Sequence, residues 1–295
     1  MKCFSLFSGI GGFDLALKRN NVEVIGACEI DKHARSVYSR HFPGVKIHED
    51  ATKIDPKGLA DFDILVGGFP CQPFSVSGKG LGFTDTRGTL FHDIIRTARE
   101  KQPSVLLLEN VPGILSNNQG QTFKTILETM VQNGYSNIRW FVLNSKDFGL
   151  PQNRERVFIV GYSRKYGERK ILPIGRNEPK TTKPQIKLGA KTGVYAEPKI
   201  MADRSRNYAD KGRSLESPKD YANSLTSVSK DNLVLENYRL RRLTPLECER
   251  LQGFPDEWTK YGANNELISD TQRYKMCGNA VSVPVIDWIL KELIL

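Results

Sequence analysis

The sequence predicts an α/β protein in which a mostly parallel sheet of seven strands carries helices and is joined to a small, irregular second module. Three observations predict it. Short apolar runs alternate with amphipathic stretches from Lys2 to Tyr162, a glycine-rich turn follows the first run, and beyond Tyr162 the chain becomes basic and punctuated by proline. With 295 residues the chain can bury a sizeable core without disulfide staples.

The strands are read in order as CFSLF, EVIGAC, VKI, DILVG, VLLLE, IRWFVL and RVFIVG. The first five are short and apolar throughout, as expected of parallel strands covered on both faces. The last two are separated only by NSKDFGLPQNRE, too short for an ordinary helical crossover, so they are expected to pair antiparallel. Helices are read in DKHARSVYSRHF, in GTLFHDIIRTAREK, stopped by Pro103, and in QTFKTILETMVQNG, stopped by Gly134. After Tyr162, five prolines (Pro173, Pro179, Pro184, Pro198 and Pro218) interrupt a stretch without a long periodic segment, a loop-rich second module. TPLECERLQGFP then reads as a short helix with Thr244 as N-cap, Pro245 at its first position and Glu247 as the reciprocal capping acid. VSVPVIDWILKELIL supplies a closing apolar helix that must pack on something large.

The net charge of +10 is unevenly placed: Ser163 to Arg242 holds 19 Lys and Arg against 9 Asp and Glu, and the rest of the chain is balanced. A basic segment beside a neutral body fits a polyanionic partner, because each neutralised phosphate releases condensed counterions; a merely solvated face is the plainer alternative. The five cysteines are odd in number, widely spaced and never paired as C-x-x-C, so neither a disulfide framework nor a zinc site is expected. This points to a reducing, cytoplasmic compartment. The apolar N-terminus is broken by glycines and Asp14, unlike a secretory leader, and no run is long enough to span a membrane.

Chemistry concentrates at strand ends. Gly9, Gly11 and Gly12 follow the first strand, where glycine lets a ligand approach the backbone, and Glu29 closes the second strand, placed to accept hydrogen bonds from ribose hydroxyls. A tight turn is the structural alternative. The dinucleotide fingerprint fails at Asp14, and a carboxylate in that turn is expected to repel a pyrophosphate, which favours S-adenosyl-L-methionine over NAD. In DILVGGFPCQPFSVSGKG, Cys71 lies beyond the carboxyl end of the fourth strand, the edge where open α/β sheets bind ligands. A cysteine there is either a small buried hydrophobe or a nucleophile. Glu109 and Asn110 follow directly on VLLLE, and a carboxylate at that edge must be paired or held protonated. Arg154 and Arg156 alternate with Glu155, so both guanidinium groups are expected on one face.

FSGIGG, GGFPCQPFS, ENVPG, QNRER, RRLTPLECERLQGFPDEW and MCGNAV, in this order, resemble the C5-cytosine DNA methyltransferases of restriction-modification systems. The resemblance covers nearly all of residues 1–162 and 239–295 and implies a Rossmann-like methyltransferase fold. It implies a discontinuous catalytic domain, 1–162 with 270–295, and a target-recognition domain at 163–269, where the charge excess lies. It implies Cys71 as nucleophile on cytosine carbon 6, Glu109 as the acid at ring N3, and Arg156 with Arg154 holding ring O2 and a backbone phosphate. It places Phe7 on the adenine of S-adenosyl-L-methionine, Gly9, Ile10, Gly11 and Gly12 on its methionine part, Glu29 on its ribose and Asp50 on its adenine amino group. Asn279 and Val281 join from the far end of the chain. Ile30 stands where many members stack an aromatic on adenine, and Ala280 where many have serine. The SVSGKG stretch fits a loop that closes over a flipped base. The partners implied are double-stranded DNA, bound by a monomer, and a restriction endonuclease acting on the same site. The tRNA-directed relatives are disfavoured by Phe69 in place of proline before PCQ and by the missing CFT signature. A non-catalytic DNA-binding module is disfavoured because Cys71 and Glu109 are both present.

Overall fold

The computed structural model describes residues 1–69, 90–164, 199–202, 222–227, 232–236 and 239–295. Cys71 and the SVSGKG stretch lie outside the described residues. Strands β1 (Lys2–Leu6), β2 (Glu23–Cys28), β3 (Lys46–His48), β4 (Ile64–Gly68) and β5 (Val105–Asn110) are all parallel. β6 (Tyr135–Asn144) and β8 (Glu155–Ser163) pair antiparallel, as their short connection requires, and β8 also runs antiparallel to β5. Among the described residues this sheet has seven strands in the order β3-β2-β1-β4-β5-β8-β6. The order reverses at β1, which lies between β2 and β4, so the loops leaving β1 and β4 diverge and open a crevice at their carboxyl ends.

The strands are apolar because both faces are covered. Val105 and Leu107 of β5 enter a core shared with α1 (Gly12–Arg19), α2 (Lys32–His41) and α7 (Val283–Ile289). Leu106 and Leu108 enter a second core with α3 (Leu90–Lys101) and α4 (Gln121–Gln132). All four β5 side chains are fully buried, each contributing about 1.5–3 kcal/mol of transfer free energy. The C-terminal helix finds its large partner in α1, where Asn20 and Arg19 donate to Asp287 at 3.0 and 3.2 Å.

The capping box read at Thr244 is formed: the Glu247 N–H donates to Thr244 Oγ1 at 3.2 Å, and the Thr244 N–H to Glu247 Oε2 at 2.7 Å, opening α5 (Pro245–Leu251). α6 (Asp270–Asn279) follows. Phe254, Trp258 and Ile268 pack in the first core with α1 and α2, so residues 254–268 lie with the large body, on the other side of the seam expected at 269/270. The second module contributes an antiparallel sheet of β9 (Lys199–Ala202), β11 (Asn232–Glu236) and β12 (Arg239–Arg242). One pairing had no sequence signal: β7 (Gln152–Asn153) joins β10 (Ala222–Asn223) in parallel, two residues on each side being too few to show a period.

Candidate active site

The glycine turn occupies the crevice. Phe7, Gly9 and Gly11 have positive φ of 57°, 54° and 84°; for a bulky aromatic that is a strained backbone, the kind concentrated at ligand sites. A side chain on Gly11 would strike the Phe42 ring, and one on Gly12 would lie 2.7 Å from Val281 Cγ2. Gly12 and Val281 therefore touch, which brings the two ends of the chain together. Glu29 accepts the Gly9 N–H at 2.9 Å and the Asp31 N–H at 2.8 Å, one on each oxygen, so it holds the turn from β2. The Trp258 indole donates to the Ile10 carbonyl at 2.9 Å and stacks on His41. Trp258 is a support of the turn that the sequence did not single out, its signal being only an aromatic after FPDE.

Asp14 does not face this turn. Its side chain is fully buried beneath it and accepts hydrogen bonds from Ser5 at 3.0 Å and Tyr38 at 2.9 Å. Asp14 therefore makes no direct contact with a group bound in the turn, and the expected repulsion of a pyrophosphate acts only from beneath the backbone. Burial pushes its carboxyl up to about 6, against the opposing pull of the two hydroxyls.

Next to Glu29 opens a cavity of about 410 Å³ lined by Ile30, Arg35, His48, Glu49, Asp50, Lys53 and Ile54. Ile30 is three-quarters exposed there, at 76%. Asp50 caps a short turn by accepting from the Thr52 N–H at 3.0 Å, with Lys53 at 3.7 Å from its other oxygen. Asn279 is exposed at the end of α6, and Val281 is buried against Gly12.

The second group lies across β4, β5 and β8. Glu109 registers beside Gly68 on one side and Phe158 on the other. A Cβ on Gly68 would lie 3.1 Å from Glu109 Oε2, so the missing side chain leaves room for the carboxylate. Arg156 Nε meets Glu109 Oε1 at 3.0 Å, both side chains largely buried. Burial raises the Glu109 carboxyl above its ordinary range, and the nearby Arg156 and Arg154 only partly oppose it. Asn110 donates to the Phe69 carbonyl at 2.8 Å and accepts the Val111 N–H at 2.8 Å. It thereby fixes the peptide two residues before Cys71, a task the sequence did not assign to it.

Arg154 departs from expectation. It falls in the break between β7 and β8, is 2% exposed, and turns into the protein, where its guanidinium donates to the carbonyls of Ala280 at 2.8 Å, Gly278 at 3.1 Å and Leu225 at 3.4 Å. Strand alternation does not apply across that break, so the two arginines are not equivalent. Cys3, Cys28, Cys248 and Cys277 are all buried free thiols, and burial raises the pKa of each, to about 12 for Cys28. None of these four is poised as a thiolate.

The sequence matches the family described as C-5 cytosine-specific DNA methylase over residues 1–217 and 191–295. It is 41% identical over 306 residues to the type II methyltransferase M.NgoBI of Neisseria gonorrhoeae, covering 97% of this chain and 90% of that one. It is 39% identical over 312 residues to the type II methyltransferase M1.ScrFI of Lactococcus lactis subsp. cremoris, covering 99% and 78%. In fold it is similar to the Dnmt2 methyltransferase of S. pombe, with a TM-score of 0.73 at 20% identity over all of this chain and 98% of the other. A family match along the whole chain, together with such identities over nearly its full length, establishes that the protein belongs to the C-5 cytosine-specific DNA methylases and is a DNA cytosine-5 methyltransferase.

Proposed function

We propose that the enzyme methylates a cytosine flipped out of double-stranded DNA, with Cys71 as nucleophile and S-adenosyl-L-methionine as donor. The observation that carries this reading is the buried pair of Glu109 and Arg156, 3.0 Å apart, at the carboxyl end of β5 beside the strand leading to Cys71. Carbon 5 of cytosine is a poor nucleophile. Addition of the Cys71 thiolate to carbon 6 forms a C–S bond and turns the ring into an enamine, whose carbon 5 can take a methyl group. The ring nitrogen N3 gains electron density as sulfur adds. Glu109, its pKa raised by burial, is the acid that relieves it; Arg156 orients that carboxyl through Nε, is itself held by Nη1 donating to the Glu155 carbonyl at 2.6 Å, and offers Nη2 to ring O2. Loss of the carbon 5 proton to a base then expels Cys71 and restores the aromatic ring.

S-adenosyl-L-methionine supplies an electrophilic methyl group. The residues fit it: the turn at Gly9 to Gly12 presents backbone without side chains, and each Glu29 oxygen accepts one N–H and keeps a lone pair for a ribose hydroxyl. The cavity beside Ile30 is mostly polar, but Ile30 and Ile54 offer adenine apolar contacts and Asp50 is placed for the amino group. Phe7, Ile10, Asn279 and Val281 complete the contacts.

Residues 163–253, which carry the charge excess, read the DNA, and residues 1–162 with 254–295 carry the chemistry. The enzyme acts as a monomer on one short site, protecting it from an endonuclease of the same specificity in the cytoplasm. Expression in a host lacking cytosine methylation, followed by bisulfite sequencing, should reveal one short methylated motif. Cys71→Ala should leave the DNA unmethylated while the protein still binds it. Methylation that survives Cys71→Ala would remove the nucleophile from this scheme.

A further inference from the structure

The chemistry above leaves Arg154 without a task, although it is a deeply buried cation, 2% exposed, beside the site. Its three carbonyl acceptors belong to two distant pieces of chain. Gly278 and Ala280 flank Asn279, the proposed cofactor contact at the end of α6, and Leu225 belongs to residues 222–227 of the basic second module. The second-module piece is also held against the stretch that carries Arg154. β10 pairs with β7, and Gln152 accepts the Leu225 N–H at 3.1 Å while donating to the Leu251 carbonyl at 2.7 Å. A Cβ on Gly278 would lie 2.6 Å from the Thr226 carbonyl and from the Ser227 nitrogen, so the two backbones pass at a distance only glycine permits.

We infer that Arg154 is a positioning residue that couples the two substrate sites, holding residues 222–227 of the DNA-reading module against residues 278–280 of the cofactor segment. A segment locked on one side by DNA then presents the other side in its binding arrangement, so occupancy of one site favours the other. A guanidinium is needed because its rigid planar fork spans three separated acceptors, whereas an ammonium is a single point. Arg154 therefore grips the protein and not a phosphate. The inference rests on the reading that places DNA on the second module and the methyl donor at Asn279.

The test uses the full-length enzyme, Arg154→Lys and Gly278→Ala. S-adenosylhomocysteine affinity is measured alone and with a duplex carrying the site mapped by bisulfite sequencing, and duplex affinity is measured as a function of salt. In the wild type the duplex should tighten S-adenosylhomocysteine by about fivefold or more, in the usual range of coupling between sites. Both variants should reduce that factor to near one, with the salt slope of DNA binding unchanged. A third variant, Arg154→Gln, removes the charge that Arg154→Lys keeps; a slope smaller by about one in it would mean that Arg154 holds a phosphate, and the inference would fail. It fails equally if the wild type shows no coupling, or if both variants keep it. Should Arg154→Lys not fold, Gly278→Ala decides, because it disturbs the same contact without touching a charge. A wild-type enzyme that transfers no methyl group would instead remove the functional reading beneath it, an outcome visible before any variant is made.

Discussion

Glu109 and Asp14 are both carboxyls raised by burial, and their surroundings give them different consequences. Glu109 lies beside Arg156 at a strand end that faces the proposed substrate. Glu109→Gln keeps the shape and a hydrogen bond but removes the acid, and kcat should fall by about 10²–10⁴-fold with folding intact, as single-turnover kinetics would show. Because the protonated form is the one used, wild-type kcat/KM should decline as pH rises through the raised Glu109 pKa; a decline equally present in Glu109→Gln would assign it to another group. Asp14 is sealed under the turn, and its consequence is a dependence of stability on pH. Its folded pKa of about 6 exceeds the ordinary 3.8, so the folded state binds the extra proton between these values and stability is lost as pH rises through about 6. The cost above that range is on the order of 3 kcal/mol. Asp14→Asn should therefore be more stable than wild type at pH 8 and lose that advantage below pH 5, as urea denaturation at the two values would measure. The position of Glu109 could be read in the sequence, since a carboxyl directly after VLLLE falls at a strand end. The burial of Asp14 could not, because it depends on Ser5 and Tyr38 approaching from other elements.

Elements whose cause is local match their sequence reading. The helix α5 begins where Thr, Pro and Glu occupy the cap, first and third positions, and both reciprocal hydrogen bonds form. Thr244→Ala should lower stability by about 1 kcal/mol, seen as a drop of a few degrees in Tm, and leave methyl transfer intact. The antiparallel pairing of β6 with β8 likewise follows from connection length alone. The pairing of β7 with β10 joins residues about seventy positions apart and has no period to reveal it. The expected alternation of Arg154 and Arg156 assumed one continuous strand, and the break at Arg154 sends the two guanidinium groups to different tasks.

Across the whole molecule, the charge excess and the chemistry occupy different parts of the chain. Residues 163–242 carry the full +10, while the carboxyls and glycines of the crevice belong to the balanced remainder. Binding of double-stranded DNA should therefore weaken by about a thousandfold between 50 and 200 mM salt if six or more phosphates are neutralised, and a flat salt response would separate the basic module from DNA contact. The large body is closed by the far end of the chain: α7 packs on α1, Val281 meets Gly12, and Trp258 holds Ile10. The need for a large partner was plain from the apolar run after Val281; its identity was not.

The sequence by itself determined the strand-end positions of Glu29 and Glu109, the bare glycine turn between β1 and α1, and the separation of basic module from neutral body. These follow from spacing and composition, which act over a few residues or over whole segments. The tertiary structure alone decided that Asp14 turns inward, that residues 254–268 pack on the large body, and that Arg154 ties Leu225 to Gly278 and Ala280. Each of these depends on which distant backbone arrives beside a side chain. A buried guanidinium takes whatever carbonyls are within its reach, and no local pattern of residues encodes which ones those will be.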